Sequence, residues 1–238
     1  MNAVKIVQPL LWIWKMIRYN LKVIFAGKFF WFLLASLAFF IGVTLITLFS
    51  GSAIGTEAVF NLILYPGLLL IFYPTVFGIQ NDEDARILEI LFGIPDYRYK
   101  IWLFRLLLIC LLVFIILFML SWFCSWAIYP FKPLFMAWQL IFPIFFMGTV
   151  AFFLSTLVRN GIGTAVIMVV IGVFFAIMGS AVQNSKWNIF LNPFRMPENM
   201  SETAWQAIVH DNRIILFVGI ILTLLGGLMN LQKREKFI

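Results

Sequence analysis

The chain has 238 residues, 63% of them hydrophobic and only 11% charged, with 17 Lys and Arg against 10 Asp and Glu. Soluble domains run near half apolar and a quarter charged, so this composition excludes an ordinary soluble domain and points to one membrane domain. In that setting a net charge of +7 reads as a topology signal rather than a nucleic-acid footprint.

Residues 9–25 come first. Pro9 suits a first helical turn, and Lys15, Arg18 and Lys22 share one side of a helix while Leu11, Ile13, Trp14, Ile17, Leu21 and Ile24 fill much of the rest. This pattern predicts a basic amphipathic helix lying in the interface. No short apolar stretch with a cleavage site precedes it, so no removable signal peptide is expected.

The spans follow from uncharged stretches at 29–56, 58–81, 106–131, 133–158 and 160–185. Arg105, Lys132, Arg159 and Lys186 stand 27 residues apart, and 27 helical residues cover about 40 Å, a bilayer with its headgroups. Helices are predicted at about 29–50, 59–80, 101–128, 134–157, 161–183 and 213–231. The runs are continuously apolar rather than alternating, which excludes a barrel. The predicted fold class is thus an all-α membrane protein with six transmembrane helices. Its parts are a segment 1–28 with the interfacial helix, a six-helix domain 29–231 and a tail 232–238.

Four of the 17 cations, Lys132, Lys186, Arg195 and Arg213, fall on one side of this layout and thirteen on the other. By the positive-inside rule both termini are expected in the cytoplasm. Pro66, Gly67 and Pro74 in the second span and Pro143 in the fourth predict kinks or breaks. Glycines in the fifth and sixth spans predict close helix approach.

Two segments outside the spans carry more pattern. In the loop 81–100, Asn81 or Asp82 is placed to cap a short helix, acids favour its start, and Gly93 and Pro95 stop it. Ile87, Leu88, Leu91 and Phe92 gather on one face, with Arg86, Glu89 and Ile90 opposite. An acidic start is repelled by anionic lipid, so a protein partner is expected for that face. The segment 184–212 is too apolar for a plain solvated loop and too interrupted to span. It is expected to dip into the outer leaflet or pack over the spans, with a short helix after Ser201.

Catalytic groupings are missing from the sequence. His210 is the single histidine, and Cys110 and Cys124 lie about 21 Å apart along one predicted helix, too far for a disulfide. There is no nucleophile elbow, no His–Glu metal helix and no phosphate-binding loop. Neither a catalytic nor a metal residue is assigned, and no cofactor is expected on this chain. The span centres hold neutral polar groups only, among them Asn61, Tyr65, Tyr73 and Gln139. That argues against a proton or sodium relay.

The run 82–95, Asp-Glu-Asp-Ala-Arg-Ile-Leu-Glu-Ile-Leu-Phe-Gly-Ile-Pro, resembles the cytoplasmic stretch of permease subunits of type-two ABC transporters. The matching residues are Leu88, Glu89, Leu91 and Pro95, followed by Tyr97, Arg98, Lys100 and Arg105; Arg86 and Ile87 stand where that family often has Gly-Thr. Asn192-Pro193-Phe194 resembles an Asn-Pro pattern of the family's outer segment. The resemblance implies a permease of an ATP-driven exporter in a bacterial inner membrane. It also implies a coupling helix in the loop, docking on a separate ATPase subunit through Ile87, Leu88, Glu89, Leu91, Phe92 and Pro95. ATP and Mg would sit on that partner, and a second permease chain, identical or different, would complete the path, lined by spans two and five. The alternative expectation is a membrane scaffold that recruits a cytoplasmic partner through the same loop. An intramembrane enzyme ranks third.

Overall fold

In the computed structural model the described residues are 17, 18, 20, 28–49, 55–84, 86 and 97–232. Among them the chain is helical, without strands. The long helices are α1 (Phe29–Phe49), α2 (Thr56–Asp84), α3 (Phe104–Ala127), α4 (Pro133–Val158), α5 (Gly161–Ala181) and α6 (Glu202–Asn230). A π-helical turn, Arg98–Leu103, leads into α3. Six of these stretches are long and apolar enough to cross a membrane. The protein is therefore an all-α, multi-pass membrane protein. In hydrocarbon each backbone amide must be satisfied within its own segment, which is why apolar sequence of this length resolves into helices.

The helices alternate in direction. Lys28, Asp82, Arg105, Arg159 and Asn230 mark one end of the bundle, the near end; Glu57, Lys132, Asn192 and Ser201 mark the far end. α2 and α4 form the centre: 67% of the most apolar part of α2 is buried and 50% of that of α4, against 22% for α1 and 17% for α5. α1 packs on α2, α6 on α4, and α3 against both central helices; α5 leans on α4 and α2. Ile63, Leu70, Leu117, Met136, Leu140 and Ile144 are fully enclosed where α2, α3 and α4 meet.

Small residues set the spacing of the central pair. A Cβ on Gly67 would lie 2.4 Å from Ile144 Cδ1, and one on Gly148 would lie 2.4 Å from Ile71 Cδ1. Each helix thus receives an isoleucine of the other over a glycine. Without a hydrophobic force between helices in lipid, such close fit is what holds them. Several buried hydroxyls are satisfied inside their own helices, as in Thr75 Oγ1 donating to Ile71 O (2.7 Å) and Ser155 Oγ to Phe152 O (2.8 Å).

One expectation is narrowed and two need correction. Of the kinks or breaks expected at its prolines, α2 has no break and runs as one helix through Pro66 and Pro74. Ser36 Oγ of α1 donates to Pro66 O at 3.0 Å, tying α1 to α2 at that level. Asn81 and Asp82 do not start a new helix: they belong to the last turn of α2, and the chain leaves it at Arg86, whose φ is +54°. Finally, the sixth helix begins eleven residues earlier than predicted. The short helix expected after Ser201 continues into the span, with Ser201 Oγ accepting from Ala204 N at 3.4 Å as its cap.

Candidate functional site

The principal concave feature is a groove of about 760 Å³ between α2 and α5, within the range of pockets that enclose drug-sized ligands. α2 offers it Asn61, Tyr65, Leu68, Leu69 and Phe72, spaced so that they fall along one helical face. α5 offers Met168, Val169, Gly172, Val173, Ala176 and Gly179, a largely small-residue stripe. Met147 and Ala151 of α4 form the floor, and Phe32 and Phe39 of α1 flank one side. The helices that line the groove are the second and fifth, joined by residues of the first and fourth. Asn61 and Tyr65, singled out in the sequence as neutral polar groups within spans, both face it.

The far end of the groove is roofed by residues 188–195 and Trp205. This roof is built from asparagines. Asn188 Oδ1 accepts from Phe190 N (3.1 Å) and Asn192 Oδ1 from Phe194 N (3.0 Å), so each side chain shapes its own turn. Asn192 Nδ2 then donates to Glu57 O (2.9 Å) and Asn61 Oδ1 (3.4 Å), binding the roof to α2. Trp205 Nε1 donates to Pro193 O (3.0 Å), and Asn212 Nδ2 donates to Lys186 O (2.8 Å) and Asn188 O (2.9 Å), binding it to α6. The Asn192-Pro193-Phe194 pattern noted in the sequence is the centre of this roof. The segment packs over the spans, one of the two placements expected for it.

Arg213 completes the roof. Its Nε donates to Gln139 Oε1 (2.9 Å), Nη1 to Asn212 Oδ1 (2.8 Å) and Nη2 to Leu191 O (3.3 Å), with the guanidinium 5.6 Å from the Phe142 ring centre. At 7% exposure it is a cross-link between α6, α4 and the roof, beyond the topology marker that the sequence suggested. Asn188, Asn212 and Arg213 were not identified from sequence as a unit. The available signal was an Asn-Arg pair opening an apolar run, where a solvated flank is the usual reading. Two further ion pairs, Arg195–Glu57 (3.2 Å) and Lys186–Asp211 (3.3 Å), are half exposed and contribute at most about 1 kcal/mol each.

At the near end Arg105 Nη1 meets Asp82 Oδ2 at 2.6 Å, both buried. Arg105 Nε also donates to Asn20 Oδ1 (3.5 Å), and the guanidinium lies 5.0 Å from the Trp102 ring centre. Asn20 belongs to the segment before α1, so this cluster joins that segment to α2 and α3. Gly161 N donates to Gln80 Oε1 (2.6 Å), fixing the start of α5 against the end of α2. The Tyr97 hydroxyl donates to Leu231 O, fixing the entry to α3 against the end of α6.

Of the interfacial-helix cations, Arg18 is helical and exposed; Lys15 and Lys22 lie outside the described residues. So do the expected docking residues Ile87, Leu88, Glu89, Leu91, Phe92 and Pro95. In sequence the near-end cluster flanks those docking residues, with Asp82 five residues before Ile87 and Arg105 ten residues after Pro95. No family model, curated protein or solved structure matches the chain.

Proposed function

We propose that the chain is a permease subunit of an ATP-driven exporter of the type-two ABC class, working as a pair of permease chains with separate ATPase subunits. The observation that carries this reading is the α2–α5 groove. It is large, mainly apolar, opens along two loosely packed outer helices, and is roofed at one end only. A second permease chain covers the open side, and the grooves of the two chains form the path. The near end is cytoplasmic, as the cation count argues, and the loop 82–95 docks on the ATPase through Ile87, Leu88, Leu91 and Phe92, with Glu89 pairing with a nearby cation. The Asp82–Arg105 pair and the Gln80–Gly161 hydrogen bond carry movement of that loop to α2, α3 and α5, the helices nearest the groove.

The test is purification of the protein in mild detergent from the membranes of its own cells, with identification of the subunits that accompany it. A stoichiometric subunit carrying a phosphate-binding loop is the expected result. Leu88→Ala with Leu91→Ala should reduce its recovery at least about tenfold, a loss of 1.4 kcal/mol or more of docking energy. Undiminished recovery sinks the docking role of the loop. Repeated isolation with non-ATPase partners alone replaces the exporter by a scaffold.

A further inference from the structure

The groove is chemically divided along its length. In its nearer part Leu68, Leu69 and Phe72 of α2 face Met168, Val169 and Val173 of α5, and the walls are hydrocarbon. Toward the roof the walls change to Asn61, Tyr65, Gln183, Asn188 and Asn192, all neutral hydrogen-bonding groups. Asn61 is exposed and Tyr65 is 57% exposed, although both stand within a span. Hydrogen-bonding groups at that depth are costly to leave facing hydrocarbon. Among the described residues the groove has one charged wall residue, Arg195, and it is paired with Glu57 at 3.2 Å. The buried Arg213 behind the roof is held by three neutral oxygens. A charged ligand would find no free counter-charge here. Asn188 and Asn192 are buried and spent on the roof's own hydrogen bonds, so hydroxyls or amides of a ligand would meet the exposed side chains of Asn61, Tyr65 and Gln183.

We infer that the groove binds an amphiphile with an uncharged, hydrogen-bonding head and an acyl tail. The head lies beneath the roof against Asn61 and Tyr65. The tail runs down between α2 and α5 for the rise from Asn61 to Phe72, about 16 Å. This names the cargo class of the exporter and rests on that reading only in calling the ligand cargo; binding itself needs no ATPase.

Gly172 provides the test, because a Cβ built there meets no atom within 4 Å. Gly172→Trp therefore places an indole in the groove from a position whose Cβ displaces no neighbour. The full chain in phosphatidylcholine nanodiscs is irradiated with three probes that share one diazirine-bearing acyl chain: a monoacylglycerol, the free fatty acid and the acylcholine. The expected result is labelling of α2 and α5 peptides by the monoacylglycerol, about tenfold above the two charged probes and lost in Gly172→Trp. Tyr65→Phe, which removes one exposed hydroxyl from the head region and leaves the Asn61–Asn192 tie of the roof in place, should keep the tail labelling and reduce the preference among heads. Equal labelling by all three probes, labelling indifferent to Gly172→Trp, or preference for a charged probe overturns the inference. Should the groove fail this test while a phosphate-loop subunit co-purifies, the exporter reading stands without it; the converse outcome leaves the binding site standing alone.

Discussion

Asp82→Leu is expected to destabilise the protein by about 3–5 kcal/mol, read as a fall in the thermal unfolding midpoint of the detergent-solubilised chain. Arg105 is 6% exposed, and the carboxylate at 2.6 Å is its one charged partner among the described residues. Without Asp82 the guanidinium keeps Asn20 and the Trp102 ring, neither of which carries a neutralising charge. Removing one member of a buried pair costs far more than removing both, because the remaining charge stays desolvated. The double substitution Asp82→Leu with Arg105→Leu should therefore recover most of the loss. Additive effects of the two single substitutions would show that the pair is not coupled, and would remove it as a structural unit. The pair also joins the end of α2 to the start of α3, the helices on either side in sequence of the loop proposed to dock the ATPase. The single substitution should accordingly weaken ATPase recovery as well, with Leu88 and Leu91 intact.

How much of this was legible in the sequence differs by element. Uncharged runs located five of the six spans to within a few residues, because the bilayer imposes length and apolarity directly on composition. The sixth was placed eleven residues late. Glu202, His210, Asp211 and Arg213 look like a solvated flank, and nothing in one sequence says that Arg213 is enclosed by Gln139, Asn212 and Leu191 O. The same difficulty affected Asp82. As one of three consecutive acids it reads as the start of a helix, and only the position of Arg105 in the folded chain makes it the buried end of α2. The prolines predict kinks or breaks, and α2, enclosed on several sides, has no break at either of its two. The groove was partly legible. Asn61 and Tyr65 stand out as polar groups within a span, whereas the family resemblance implies spans two and five as walls of a path between two permease chains, not of a groove within one chain. The asparagine roof was not, apart from Asn192, since hydrogen bonds to distant backbone oxygens leave no periodic trace.

The second large effect concerns the central pair of helices. Gly148→Ala is expected to cost about 1–3 kcal/mol, because the new methyl would stand 2.4 Å from Ile71 Cδ1 and 2.8 Å from its Cγ1. Ile71 is 2% exposed and sits on a helix, where a β-branched side chain has one strongly favoured rotamer and little freedom to swing aside. Ile71→Ala alone should cost about 2–5 kcal/mol through the cavity it leaves. Combined, the two changes oppose each other: the methyl at position 148 enters the space vacated at position 71. The double variant should then be at least about 1 kcal/mol more stable than the sum of the singles predicts. Simple additivity would mean that α2 and α4 are not in the tight register described. Such a register has a mechanical consequence. Two helices locked by reciprocal glycine–isoleucine contacts make a poor hinge, and α1 is tied to α2 by the Ser36–Pro66 hydrogen bond and the Phe32–Tyr73 ring stack. α5, with 17% of its apolar core buried, packs less against the frame, so movement that opens or closes the groove is expected of α5 against a fixed α2–α4 pair. Amide hydrogen exchange should show slowest opening in the middle of α2 and α4 and faster opening along α5, and Gly148→Ala should narrow that difference by loosening the frame.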